Sequence, residues 1–170
     1  MNSIVAQVFR FIVFLGLQIF IFNNIRFLNS INPQIYLIPL LLLPLDMKKW
    51  IQYIIAFITG FLVDIFFNVY GVHALAALLV VFIKPYWMFL INGFRPIEGT
   101  FKPVPGEKDL NWLLLFVFGI TFFHQLIVSL FETFNMSEFL HIIWITLLNA
   151  VFTTVVVISI LYLFYSEKKK

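Results

Sequence analysis

Residues 51–91 read IQYIIAFITGFLVDIFFNVYGVHALAALLVVFIKPYWMFLI, two apolar runs separated by a short stretch around Asn68 and Gly71. Each run approaches the ~20 residues needed to cross a hydrocarbon core roughly 30 Å thick. Ala56, Gly60, Asp64 and Asn68 recur every four residues, so a helix over 51–68 carries them along one face. That face is unsuited to lipid, because a carboxylate in a bilayer is costly unless it is paired, hydrated or protonated. Folding the hairpin about Asn68 and Val69 places His73 at the depth of Asp64. A hydrogen bond there satisfies both groups and fixes one histidine tautomer, with Asn68 available for a further contact. Gly71 suits the turn because it tolerates positive φ.

The rest of the chain shares this character. Of 170 residues 62% are apolar and 11% charged, with 23 Phe and a mean hydropathy of +1.03. Soluble domains are about a quarter charged. So little polar surface cannot clothe a globule in water, whereas lipid requires none. The absence of Cys excludes disulfides, thiolate catalysis and Cys-bound metal centres. A pI near 9.2 does not imply nucleic acid, because the net charge is only +3 and no basic block with interleaved aromatics exists.

Working outward from the hairpin, six apolar runs are predicted as spans: 4–22, 31–45, 51–68, 72–91, 112–131 and 140–165. The fold class expected is an all-α integral membrane protein, one transmembrane domain over 1–170 built as a compact bundle of about six helices. The run 31–45 is short and holds Pro39 and Pro44, which remove backbone donors and bend or break a helix. A re-entrant segment survives at membrane depth only where protein or water satisfies it. The first run resembles a signal peptide. The following Asn23, Asn24, Ile25 and Arg26 offer no small-residue cleavage site, so a retained helix is expected.

Lys and Arg set the orientation. With both termini cytoplasmic, Arg10, Lys48, Lys49, Arg95, Lys102, Lys108 and Lys168 to Lys170 fall inside, and only Arg26 falls outside. The loop 132–141 carries Glu132 and Glu138 but no basic residue, as an exterior loop should. Lys84, just before Pro85, Tyr86 and Trp87, is expected to snorkel to the cytoplasmic interface. The segment 92–111, NGFRPIEGTFKPVPGEKDLN, balances three basic against three acidic residues and reads as a solvated cytoplasmic connector with room for a docking element.

Weaker polar faces follow. Thr121, Gln125 and Ser129 share one side of the fifth run beside His124, and Thr146, Asn149, Ala150 and Thr153 gather on the sixth. Interhelical hydrogen bonding accounts for them, at under about 1 kcal/mol each. Three His without HExxH-like spacing and a single acid well inside a span give no metal centre. No phosphate-binding glycine loop and no Ser, His and Asp set at matching depth is present, so neither a catalytic residue nor a cofactor is expected. The face through Asp64 has three readings: a lock between helices, a lock that also recognises a partner, or a site for proton or solute handling.

The stretch Gly60-Phe61-Leu62-Val63-Asp64, followed after six residues by Gly71-Val72-His73-Ala74-Leu75, resembles the bacterial rod-shape-determining MreD family. Chain length, a hydrophobic first helix running into Asn and Arg, and a proline-bearing second run fall in the same order. The resemblance implies a non-enzymatic scaffold of the bacterial inner membrane, serving peptidoglycan elongation and rod shape. It implies association with MreC, and through it with MreB, RodA and a class B penicillin-binding protein. It further implies a six-helix arrangement similar to the S-components of vitamin transporters. On that reading Ala56, Gly60, Asp64, Asn68, Gly71 and His73 form the packing and partner face, with His124, Gln125 and Asn149 secondary. The rivals are a substrate-binding S-type transporter subunit and a small proton-coupled carrier using Asp64 and His124.

Overall fold

A computed structural model describes residues 4–22, 32–97, 101–133 and 139–164. They form α1 (Ile4–Phe20), α2 (Leu37–Leu41), α3 (Lys49–Phe67), α4 (Val72–Ile91), α5 (Leu110–Thr133) and α6 (Phe139–Phe164), with no β-strand among the described residues. Arg26, Glu138 and Lys168 to Lys170, used above to orient the chain, lie outside the described residues.

The helices α3 to α6 are long and apolar enough to cross a membrane, while α1 has 17 residues. Consecutive helices pack as the pairs α3–α4, α4–α5 and α5–α6; α1 lies against α3 and α2, and α2 lies against α4. The exterior is apolar and the interior mixes apolar with polar side chains, unlike a soluble protein. Phe9, Phe20, Leu140 and Leu163 are exposed, whereas Gln18, His73, His124 and Thr146 are fully buried. Such a distribution suits a hydrocarbon surround, where apolar side chains cost nothing outside and polar ones need partners inside.

Close approach of α3 and α4 depends on small residues. Gly60 sits so tightly on the backbone of α4 that an added Cβ would lie 2.5 Å from the Ala74 Cα. Ala56 on α3 and Ala76 and Ala77 on α4 are likewise small and fully buried. Between α4 and α5 the Trp87 ring lies over Gly119, and its Nε1 donates to the Leu115 carbonyl at 3.1 Å. Thr121 of α5 and Thr154 of α6 join their hydroxyls at 3.0 Å.

Residues 31–45 correct the expectation of six spanning helices. The described part of that run, 32–45, holds only the five-residue α2, fully buried and flanked by turns. Pro39 is tolerated because it falls in the first turn, where its missing N–H would have had no partner in the helix. Pro44 lies just past the end, where no helix continues.

The connector 92–111 is less open than its composition suggests. Phe101 packs edge-on against Trp112, with ring centroids 5.4 Å apart, and Pro103 and Pro105 are buried. Asn92 donates from Nδ2 to the Arg95 carbonyl at 3.0 Å, and its Oδ1 accepts from Lys108 Nζ at 3.2 Å. Residues 98–100 lie outside the description.

Candidate functional site

Gly71, at φ +78°, is the N-cap of α4 and has no side chain with which to satisfy the first N–H groups of that helix. Asp64 supplies the acceptors from the neighbouring helix. Its Oδ1 accepts the His73 backbone N–H at 2.8 Å and its Oδ2 accepts that of Ala74 at 2.9 Å. The His73 ring adds a third bond, Nδ1–H to Oδ1 at 3.0 Å. The carboxylate thus spans the positive end of α4, where helix dipole and unpaired donors both favour an anion. Asp64 is 1% exposed and His73 fully buried. Gly60, one turn before Asp64, is the residue whose missing side chain lets the carboxylate reach that helix end.

The structure therefore brings Ala56, Gly60, Asp64, Gly71 and His73 into one hairpin seam and leaves Asn68 out. Asn68 is exposed and ends α3 in the left-handed region, φ 56° and ψ 37°, with its N–H on the Asp64 carbonyl. Its place at the fourth helical repeat coincides with the end of the helix. The chain turns there, and the side chain leaves the face that continued periodicity would give it.

A second buried cluster adjoins this clasp, built around Tyr36, which the sequence reading missed. Tyr36 is fully buried and its hydroxyl is hydrogen-bonded to His124 Nε2. The rings of His73 and His124 lie 6.2 Å apart, with Tyr36 packed edge-on against both. Asp64, His73, His124 and Tyr36 thus form one contiguous buried group. His73 Nε2 and His124 Nδ1 have no hydrogen-bond partner among the described residues. The signal for Tyr36 was a hydroxyl in an apolar run, since a buried phenol finds a partner.

From Tyr36 the irregular segment extends both ways, and side chains take up backbone groups that its own turns leave over. On its N-terminal side the Asn32 N–H donates to Asn149 Oδ1 at 2.9 Å, Gln34 N–H to Thr153 Oγ1 at 3.3 Å, and Ile35 N–H to Gln18 Oε1 at 2.7 Å. On its C-terminal side the carbonyls are taken instead. Lys84 Nζ donates to Leu43 at 2.7 Å and Leu40 at 3.3 Å, and Gln52 Nε2 donates to Met47 at 2.7 Å and Pro44 at 3.1 Å. Lys84 is 1% exposed, which overturns the expectation that it snorkels to an interface. Its amine is instead the donor for the broken end of α2. Backbone without helix or sheet partners in an apolar surround requires such donors and acceptors, and five side chains from four helices provide them.

The secondary positions divide. Asn149 holds Asn32, with its own Nδ2 donating to the Ile145 carbonyl at 3.0 Å. His124 meets Tyr36. Gln125 is buried beside it, with Nε2 unpartnered among the described residues, as are Thr146 Oγ1, Gln18 Nε2 and Gln34 Oε1. No group of three or more His, Cys, Asp or Glu able to hold a metal occurs among the described residues. No protein-family model matches the chain, nor does any curated protein or solved structure.

Proposed function

We propose that this chain is a multi-pass scaffold of the bacterial inner membrane, acting without catalysis in the machinery that elongates the peptidoglycan wall and keeps cells rod-shaped. The observation that carries the reading is the Asp64 clasp. Gly60, Asp64, Gly71 and His73, the residues on which the resemblance to MreD rests, meet in one buried unit that fixes the α3–α4 hairpin. Two of the three bonds of that unit hold backbone N–H groups, and the third ties the His73 ring to the same carboxylate. This arrangement supports a rigid platform for partners better than a reaction centre. On this proposal both termini face the cytoplasm, α1 and the segment 31–45 complete a six-part bundle in the bilayer, and the partner is MreC. MreB, RodA and a class B penicillin-binding protein are then engaged indirectly. The test is depletion in a rod-shaped host with this chain as the only source of the function, together with MreC co-purification. Rods that persist without the protein, or an unaltered MreC complex without it, reject the reading.

One observation favours a second reading, a substrate-binding S-type transporter subunit. Gln18, Gln34 and His124, in or against the segment 32–36, each keep a buried polar atom unpartnered among the described residues, and Gln125, next to His124 in the chain, and Thr146 keep one each as well. A neutral ligand with donors and acceptors of its own would match them. Native mass spectrometry that finds a co-purified small molecule, lost in Gln125→Leu, selects transport over scaffolding.

A further inference from the structure

The α1–α3 pair encloses an apolar groove of about 400 Å³ that the clasp and the threaded segment do not use. Phe11 and Leu15 form one wall; Ile51, Ile55, Ile58 and Leu62 form the other. Thr59 also lines it, but its hydroxyl donates back to the Ile55 carbonyl at 2.7 Å, so the wall offers no free donor. From Ile51 to Leu62 the groove follows α3 for about 16 Å at 1.5 Å per residue. This is close to half of the roughly 30 Å hydrocarbon core, the depth of one leaflet. The groove starts at Met47 and Ile51, directly beside Lys48 and Lys49, which are exposed, and Trp50, 61% exposed. Arg10 adjoins Phe11 in the sequence, and Asp46 is the one acidic neighbour of this end in the chain.

We propose that this groove holds an acyl chain of an anionic phospholipid, with the headgroup held by Lys48 and Lys49. Length and polarity fit a chain descending one leaflet, and the two lysines with an indole at the mouth match an anionic headgroup at the interface. A second helix fits less well. Helices associate in lipid through small residues or interhelical hydrogen bonds, and these walls consist of branched and aromatic side chains whose one hydroxyl is already engaged.

The experiment is native mass spectrometry of the full chain released from nanodiscs of equal parts phosphatidylglycerol and phosphatidylethanolamine with identical acyl chains. The wild type should retain one lipid and favour phosphatidylglycerol by at least about fivefold, the contribution of one interfacial lysine. The double substitution Lys48→Ala with Lys49→Ala should retain a lipid with that preference lost. Both positions are exposed, so this arm does not depend on a core change. Ile55→Trp, which fills the groove, should abolish retention. Equal retention of the two lipids by the wild type overturns the proposal, as does wild-type retention by Ile55→Trp. So does cross-linking of Ile58→Cys, the single thiol of that variant, to another polypeptide in cells in place of a photoreactive acyl chain.

Discussion

Asp64 and Lys84 are both buried to 1% exposure, and both serve a helix end, from opposite sides of the same problem. Asp64 accepts the N–H groups that open α4; Lys84 donates to the carbonyls that close α2. Each sign is the one a helix terminus favours. The difference is distance along the chain. Asp64 finds His73 nine residues away, within one hairpin, whereas Lys84 reaches back 41 residues to Leu43. The clasp can therefore form as soon as α3 and α4 meet. The end of α2 is completed only when a longer loop has closed on α4, at a larger entropic cost. A local anion sets the hairpin, and a distant cation fastens the irregular segment to it.

The largest effect should come from Asp64→Ala, which removes three bonds at once and leaves two backbone N–H groups of α4 unpaired in the interior. Loss of one partner from a buried charged pair costs about 3–5 kcal/mol, and a membrane reference state that finds substitute partners lowers this towards the smaller figure. Unfolding measured by steric trapping in bicelles should fall by that amount, with Asp64→Asn intermediate because one acceptor oxygen survives. A variant that unfolds like the wild type removes the clasp from the account. Lys84→Met ranks second, at about 1–3 kcal/mol. Carbonyls tolerate a missing donor better than N–H groups tolerate a missing acceptor, and the methionine still fills the space. Its mark should be regional: faster hydrogen exchange over 37–47, with the α3–α4 seam unchanged. Uniform loosening of both regions would show that the two devices are not separable.

This contrast also explains what could be read from the sequence. The Asp64–His73 contact follows from two regular elements and a short turn, so reflecting one helix on the other sufficed to find it. The glycines were legible for the same reason: Gly60 stands on the periodic face and Gly71 at the turn. Lys84 was misread because its partner is backbone belonging to a segment without regular geometry. A lysine followed by Pro85, Tyr86 and Trp87 carries the same local pattern whether it snorkels or caps. Residues 31–45 satisfied the hydropathy of a span, and the two prolines indicated a break without indicating what would satisfy it. Gln18 and Gln52, which are among the side chains that do so, each sit singly in apolar runs where no spacing links them. Polar residues isolated in such runs, counted against the donors and acceptors that a broken helix exposes, were the usable signal.

Tyr36→Phe tests the junction between the two regions. It removes one hydrogen bond and leaves His124 with both ring nitrogens unpartnered among the described residues, a loss of about 1 kcal/mol. Because Tyr36 packs edge-on against His73 as well as His124, the phenylalanine ring preserves the packing and isolates the hydroxyl. The His124 ring signals in NMR should shift while those of His73 hold. A matching shift at His73 would mean that the clasp and the threaded segment form one polar unit.

The smallest effect is expected at Asn68, and its smallness is informative. Were Asn68 part of the buried face that continues from Ala56 through Gly60 and Asp64, its replacement by glycine would cost a hydrogen bond at depth. In the structure it is exposed at φ 56°, in the left-handed conformation that glycine adopts without strain. Asn68→Gly should therefore change stability by no more than about 0.5 kcal/mol. Asn68→Val, which keeps a side chain but places a β-branched residue in the left-handed region, should cost about 1–2 kcal/mol. The sign of this pair separates two explanations of a residue every fourth position: a face loses stability when its side chain is deleted, whereas a turn loses it only when a side chain is wrongly shaped. If Asn68→Gly proves the more damaging of the two, the helical face extends a full turn beyond the point where Asp64 leaves α3 to grip α4, and the hairpin closes lower than its caps imply.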